Sequence, residues 1–290
     1  LYFESLLYGR GLVKRSNQFV LLGNLMYVIV AVVFLLLGYG LIAIVSAQFI
    51  SNLIIRFGAS ISFFTKNIKE KLKLADDGDY KNVLSAIYPN AVKVGLSGLG
   101  SFFINKSSTF LGPYFVSLAD MGAYGVTSQL ITVVASVAQV FTNVYIPKVF
   151  QWRVENKIDK IKRIFFISCV ILFLVFFGSY IIVILFGNWT LNLMHSNTQL
   201  ISNGLLSILF LHMYLSTNHA NAAQYLLSKN EVPFFKASLW SAFFTLVLFI
   251  LFEVFFDMKL LGMILAPTIA QLVYQNWKWP LEVIKELYKK

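Results

Sequence analysis

The sequence predicts an all-α, polytopic membrane protein with about eight transmembrane helices, and three observations predict it. Hydrophobic residues make up 58% of the 290-residue chain and charged residues only 13%, with a mean hydropathy of +0.73. About a quarter of a soluble domain is charged. Several apolar runs reach the roughly 20 residues that cross a bilayer core. Finally, the basic residues lie between those runs, so the net charge of +11 is an orientation signal rather than a nucleic-acid footprint.

Apolar runs bounded by glycine, proline and charge place helices over 19–37, 41–63, 83–110, 121–146, 164–186, 200–227, 235–256 and 260–279. Pro89, Pro147, Pro233 and Pro280 fall near proposed ends, where proline is tolerated, while Pro267 lies inside the last span and is expected to kink it. "GYG" at 38–40 is short enough only for a hairpin of two antiparallel helices. If the spans alternate in direction, every one of the 24 lysines and arginines except Lys93, Lys106 and Lys259 falls on one side. That asymmetry puts both termini and the basic segments in the cytoplasm. The segment "KVFQWRVENKIDKIKR" (148–163) reads as a basic amphipathic loop lying along the anionic leaflet.

Catalytic, metal and cofactor signatures are not found. Cys169 is the single cysteine, so there is no disulfide framework and no paired-cysteine metal site. His212 and His219 share a helical face but stand about 10.5 Å apart along the axis, too far for a common metal. No glycine-rich phosphate loop or nucleophile elbow is present.

Polar residues inside the spans mark the candidate site. Gln129, Thr132, Ser136, Gln139 and Asn143 recur every three or four residues, within an arc of about 80° over about 21 Å of helix. Such a face lines either a packed helix–helix interface or a wet path. Lys93, Ser97, Gly100 and Ser108 share one side of the third span, softened by Gly95 and Gly98. Lys106 lies about 140° around the axis from Lys93, so the two share a face only if the helix bends. Lys106 sits in "INKSSTFLGPYFVSLADMGAYG" (104–125) at the outer end of that span, its neighbouring hydroxyls placed to satisfy freed backbone groups and Asp120 to cap the next helix. For Lys93 the alternative is snorkelling to headgroups, and for Lys106 an ordinary loop lysine. Glu253 is the acidic residue well inside a span; with Asp257 it is an interfacial group or a weak cation site.

Two segments echo one another. "GYGLIAIVSAQFI" (38–50) resembles "LLGMILAPTIAQLV" (260–273), each following an aromatic-rich span, with Gly40 set against Gly262. Parallel repeats are a transporter architecture. Three stretches also resemble bacterial polysaccharide transporters, the O-antigen flippases: "YFVSLADMGAYGVTSQL" (114–130), "ANAAQYLLSKNEVPFFKAS" (220–238) and "LLGMILAPTIAQLV". The resemblance covers residues 17–280 and implies the multidrug/oligosaccharidyl-lipid/polysaccharide superfamily, usually twelve or fourteen helices in two lobes around a central cavity. It implies that 1–64 are the last two helices of an N-terminal lobe, 65–82 a basic cytoplasmic linker, 83–280 a six-helix C-terminal lobe and 281–290 a cytoplasmic tail, with four helices expected upstream in a longer protein. It implies a flippase of the bacterial inner membrane that moves undecaprenyl-pyrophosphate-linked oligosaccharide, an O-antigen or capsule repeat unit, by alternating access. It would work beside polysaccharide polymerase and chain-length machinery and needs no cofactor. Substrate would then meet Arg56, Lys93, Lys106, Gln129, Ser136, Gln139 and Asn143. The competing functions are a cation-coupled multidrug antiporter, which wants buried carboxylates, and a membrane-embedded glycosyltransferase or polymerase, which wants a catalytic acid or base and a large active-site loop.

The charge asymmetry generates a topology test. With Cys169 replaced, a cysteine at Asn197 should be labelled by an impermeant thiol reagent added outside intact cells, and one at Asn156 only after lysis. Labelling of both from outside would reverse or scramble the orientation.

Overall fold

A computed structural model describes residues 2–74 and 80–288, and among these there is helix but no strand. The α-helices are α1 (Tyr2–Gly9), α2 (Val13–Leu36), α3 (Leu41–Phe63), α4 (Lys66–Leu74), α5 (Tyr80–Leu111), α6 (Leu118–Val154), α7 (Ile158–Leu193), α8 (Asn203–Leu227), α9 (Phe235–Ile250), α10 (Leu260–Leu272) and α11 (Gln275–Tyr288). A 3₁₀ turn (Gly112–Tyr114) precedes α6, and a π-turn (Leu251–Phe255) continues α9. The chain divides into two compact units, Leu1–Asn82 and Val83–Lys290. Of the expected linker 65–82 and tail 281–290, residues 75–79 and 289–290 lie outside the described residues.

Each expected span has its helix, but only five are long and apolar enough to cross a membrane: α2, α3, α6, α7 and α9 with its π-turn. The other three differ for visible reasons. α5 carries Pro89, Lys93 and several glycines and serines, α8 is rich in polar residues, and α10 has only 13 residues. The expected span 260–279 is two helices, because α10 runs through Pro267 and the chain turns at Val273–Tyr274 before α11. The expected basic loop 148–163 is mostly helix as well. α6 continues through Pro147, and only Glu155–Lys157 separate it from α7. There Lys157 Nζ sits 2.6 Å from the Glu155 carboxylate and Gln151 donates to it at 2.8 Å. Those two partners, Lys157 first, hold its pKa below the ordinary carboxylate value.

In the first unit α2 and α3 form an antiparallel hairpin, closely approached where Gly23 meets Ile55 and Gly58 meets the Phe19 ring. The turn works because Gly38 and Gly40 take φ of +83° and +54°. The second unit contains a hairpin of the same form between α9 and α10. Gly40, before α3, has φ 54° and ψ −131°; Lys259, before α10, has φ 51° and ψ −131°, and Asp257 matches Gly38 with φ 46°. The hairpins therefore correspond with Gly40 at Lys259, three residues away from the Gly40–Gly262 register in which the sequences echo. In the structural register Ala43, Ala47 and Ser51 fall on Gly262, Ala266 and Ala270, and all six are buried small residues one turn apart. Small residues at this spacing let helix backbones approach closely.

The second unit is organised around α8. Leu206, Leu209 and Phe210 pack toward α6 and α7 in one apolar cluster, while Ala222, Tyr225 and Leu226 join a second with α11's Trp279 and Val283. Between the clusters the helices are joined by a buried amide. Asn221, 1% exposed, accepts from Thr142 of α6 at 2.8 Å and donates to Ser168 of α7 at 3.0 Å. α5 is attached more sparingly. Gly100 lies directly against Ser238 of α9, whose hydroxyl donates to Ser97 O at 3.0 Å, and Ser108 donates to Met263 O of α10 at 2.8 Å.

The amide network sets a stability difference. Asn221→Leu should lower the unfolding free energy in mixed detergent micelles by about 1–2 kcal/mol, the scale of an interhelical hydrogen bond in a membrane. Thr132→Val, which removes a hydroxyl bonded only to its own helix at Ser128 O, should change it by less. Equal losses would mean that the network contributes nothing beyond local packing.

Candidate functional site

The α6 stripe and Lys106 come together in one cleft of about 570 Å³ within the second unit. Gln129, Thr132, Ser136 and Gln139 form its α6 wall, and Lys106, Ser108 and Thr109 come from the last turns of α5. α8 supplies the facing wall with His212, Ser216 and Thr217, and Ile264 and Pro267 of α10 close it. A second, smaller cleft of about 310 Å³ shares Ile104, Asn105, Ser216 and Ala220 with the first. It continues down α8 along His219, Ala223, Gln224 and Leu227, bounded by Ser97 and Ser101 of α5 and by Gln271 and Gln275. One α8 stripe, from Leu209 to Leu227, therefore lines both clefts, and it is about 27 Å long. That is close to the thickness of a bilayer's hydrocarbon core.

The lining is polar but nearly uncharged. Lys106 is the one lysine or arginine among the residues bordering either cleft, and no carboxylate borders them. Thr132 and Ser136 donate back to the carbonyls of Ser128 and Thr132 at 2.8 Å. This keeps their protons inside α6 and turns lone pairs toward the cleft. Several buried groups in the walls have no partner among the described residues: His212 Nδ1 in the larger cleft, and His219 Nδ1, Gln271 Nε2 and Gln275 Oε1 in the smaller one. Gln275 Nε2 lies 3.2 Å from His219 Nε2, and the Phe234 ring stands edge-on to the imidazole with centroids 6.0 Å apart. Buried polar atoms left open in a cavity wall are the usual partners of water or ligand. Chemically the clefts offer one cation for an anionic group and many neutral donors and acceptors for hydroxyls. Among the described residues no cluster of histidine, cysteine, aspartate and glutamate has metal-binding geometry.

No protein-family model matches the chain, and no curated protein or solved structure does either. What the site does must therefore be argued from its own residues.

The other candidate residues lie elsewhere. Asn143 is exposed one turn below Gln139 and borders neither cleft. Lys93 is on a different face of α5, with its ammonium 5.9 Å from the Phe235 ring centroid. Arg56 is an exposed residue of α3 in the first unit. Around Lys106 the local roles also differ from those expected. The N-cap of α6 is Ser117, whose hydroxyl accepts from Asp120 N at 3.1 Å and donates to the Asp120 carboxylate at 2.7 Å. Asp120 thus sits at the third position of a reciprocal cap. Ser108 reaches across to α10 instead of satisfying its own helix end. Three groups were missed from sequence: the α8 wall, Gln271 and Gln275. The signal of the α8 wall was present in the spacing of Ser216, Ala220, Ala223 and Leu227, but α8 carries polar residues on its core face too, which hides the stripe.

The geometry separates two faces of α6. With Cys169 replaced, cysteines at Ser136 and Gln139 should react with a small charged thiol reagent faster than cysteines at Val133 and Val140, which are more than half exposed but on faces away from the cleft. Equal rates on all four would mean that the cleft holds no more water than the protein's outer surface.

Proposed function

We propose that the chain belongs to a flippase that moves oligosaccharide linked to undecaprenyl pyrophosphate across the bacterial inner membrane, and that the α5–α6–α8–α10 clefts are its substrate path. The observation that carries this is the polar groove along α8. It spans nearly a bilayer core, is lined by hydroxyls and amides, and has a single lysine, Lys106, at one end. A sugar chain needs neutral hydrogen-bonding partners, and a diphosphate needs a cation. A lysine in a partly desolvated site attracts a phosphate far more strongly than one in bulk water.

The wider expectations belong to the same proposal. α2, α3, α5, α6, α7, α8, α9 and α10 would be eight crossings, with basic segments and termini in the cytoplasm. The polarity of α5 and α8 fits crossing helices whose polar faces are covered by protein instead of lipid. The matched hairpins before α3 and α10, with their small-residue stripes, support two related lobes as in parallel-repeat transporters. In that architecture the second unit is the C-terminal lobe, Arg56 belongs to the N-terminal lobe, and a polysaccharide polymerase receives the product. One observation favours a cation-coupled antiporter instead. Glu253 is 5% exposed in a π-turn, and neither of its carboxylate oxygens has a side-chain partner. It borders neither cleft, however, which places it apart from the proposed substrate path.

In cells lacking any other flippase, Lys106→Ala should reduce surface polysaccharide severalfold at unchanged protein level. Lys106→Arg should restore part of it, since either cation can face a phosphate. Lys259→Ala, at the hairpin outside the clefts, should be neutral. Normal polysaccharide from Lys106→Ala, or equal damage from Lys259→Ala, would overturn this assignment.

A further inference from the structure

Lys93 and Lys236 converge on one aromatic ring. Their ammonium groups lie 5.9 and 6.0 Å from the Phe235 centroid, and neither forms an ion pair among the described residues. Lys229, the cation that precedes Lys236 in sequence, and Arg153 are paired with carboxylates. Arg153 pairs with Glu286 at 2.7 Å, and Lys229 with Glu231 and Glu286 at 3.2 and 3.3 Å. Burial acts to lower the Lys229 pKa, but these two carboxylates outweigh it and raise the value. Glu231 and Glu286 are thus engaged by Arg153 and Lys229, and Lys93 and Lys236 are left with the Phe235 ring.

Lys236 also stands at the rim of a groove of about 710 Å³ between α9, α10 and the start of α11, a volume in the range of small-molecule sites. Its walls are otherwise mainly apolar, with Trp240, Phe244, Leu248, Ile269 and Val273 running away from the lysine, and no acidic residue borders it. Trp240 and Val273 are 61% and 72% exposed. Trp279, by contrast, is 6% exposed, borders the same groove, and its Nε1–H has no acceptor among the described residues. A buried indole N–H without an acceptor costs free energy unless something supplies an oxygen. The groove therefore has an apolar trough and a cationic rim.

We propose that this groove is a docking site for one anionic phospholipid of the surrounding leaflet, with its phosphate at Lys236 on the rim, Lys93 adding positive charge from across the Phe235 ring, and an acyl chain along Trp240, Phe244 and Leu248. Charge decides the occupant. A zwitterionic lipid brings its own ammonium toward two unpaired lysines, whereas an anionic headgroup brings only acceptors. Basic pockets between membrane helices recognise anionic headgroups on these grounds. The site is independent of the transport function proposed above and explains why Lys93 belongs to neither cleft.

The test uses the full chain in phosphatidylcholine vesicles containing a minor fraction of either brominated phosphatidylglycerol or brominated phosphatidylcholine. Bromine on a bound acyl chain quenches nearby tryptophan, and the difference between wild type and Trp240→Phe isolates the Trp240 signal. Brominated phosphatidylglycerol should quench Trp240 well beyond its bulk fraction, with an enrichment of roughly fivefold per lysine, and the excess should shrink at high salt. Lys93→Gln with Lys236→Gln should abolish the excess, while Lys278→Gln with Lys285→Gln should leave it. Equal quenching by the two brominated lipids in wild type, or a preference that survives loss of both Lys93 and Lys236, would overturn the proposal.

Discussion

The second unit depends on burying one amide. Asn221, in the C-terminal half of α8, is 1% exposed, so both ends of its side chain must find partners on neighbouring helices. Thr142 donates to one end and Ser168 accepts from the other. This fixes the depth and rotation of α6 and α7 against α8 together, because a slip of one residue on any of the three would strand the amide. An unpaired buried polar group costs about 1–3 kcal/mol, whereas apolar packing between lipid-embedded helices is nearly indifferent to register, since lipid tails are as apolar as leucine. The polar contact supplies the specificity that the greasy contacts lack.

Once α8 is held by that face, its other face follows. The rotation that turns Asn221 toward α6 and α7 turns Ser216, Ala220 and Ala223 toward α5 and α10, where the side chains are too short to fill the space. α5 cannot close that gap. It is pinned at Gly100 against Ser238 and at Ser108 against the Met263 carbonyl. The clefts are thus a consequence of short side chains on α8 facing a helix held at a distance. Their polarity is the condition for water to be tolerated there.

Much of this was legible in the sequence. All eight long apolar segments contain helices, because length and apolar content decide them, but α6 and α7 run six to eight residues past expected ends and the last segment is two helices. The α6 stripe was legible for the same reason that an amphipathic helix is: five polar residues in register leave few alternatives. The two lysines of α5 were legible only in part. Their separation of about 140° around the axis foretold different faces on a straight helix, and the helix continues unbroken through its glycines, so Lys106 enters the cleft and Lys93 faces Phe235. α8 was not legible. Polar residues for the core network and for the clefts alternate along it, and periodicity cannot sort two polar faces of one helix. Gln271 and Gln275 were hidden for a different reason, since the break between α10 and α11 that brings them to the cleft falls in a run that reads as one helix.

The paired hairpins show a constraint acting through unlike residues. Before α3 the two positive-φ positions are glycines, for which the conformation is nearly free. Before α10 the same positions are Asp257 and Lys259, for which it is strained. The strain persists because the surroundings admit no other path. Gly262 lets α10 lie so close to the end of α9 that a Cβ would collide with Phe252 and the Glu253 carboxylate, and Met263 and Ile264 are fully buried immediately beyond. The π-turn that inserts an extra residue at the end of α9 is part of the same fit. α10 in turn carries the Met263 carbonyl that Ser108 bonds and the Ile264 and Pro267 side chains that border the larger cleft. One short helix thus runs from the strained hairpin to the wall of the larger cleft.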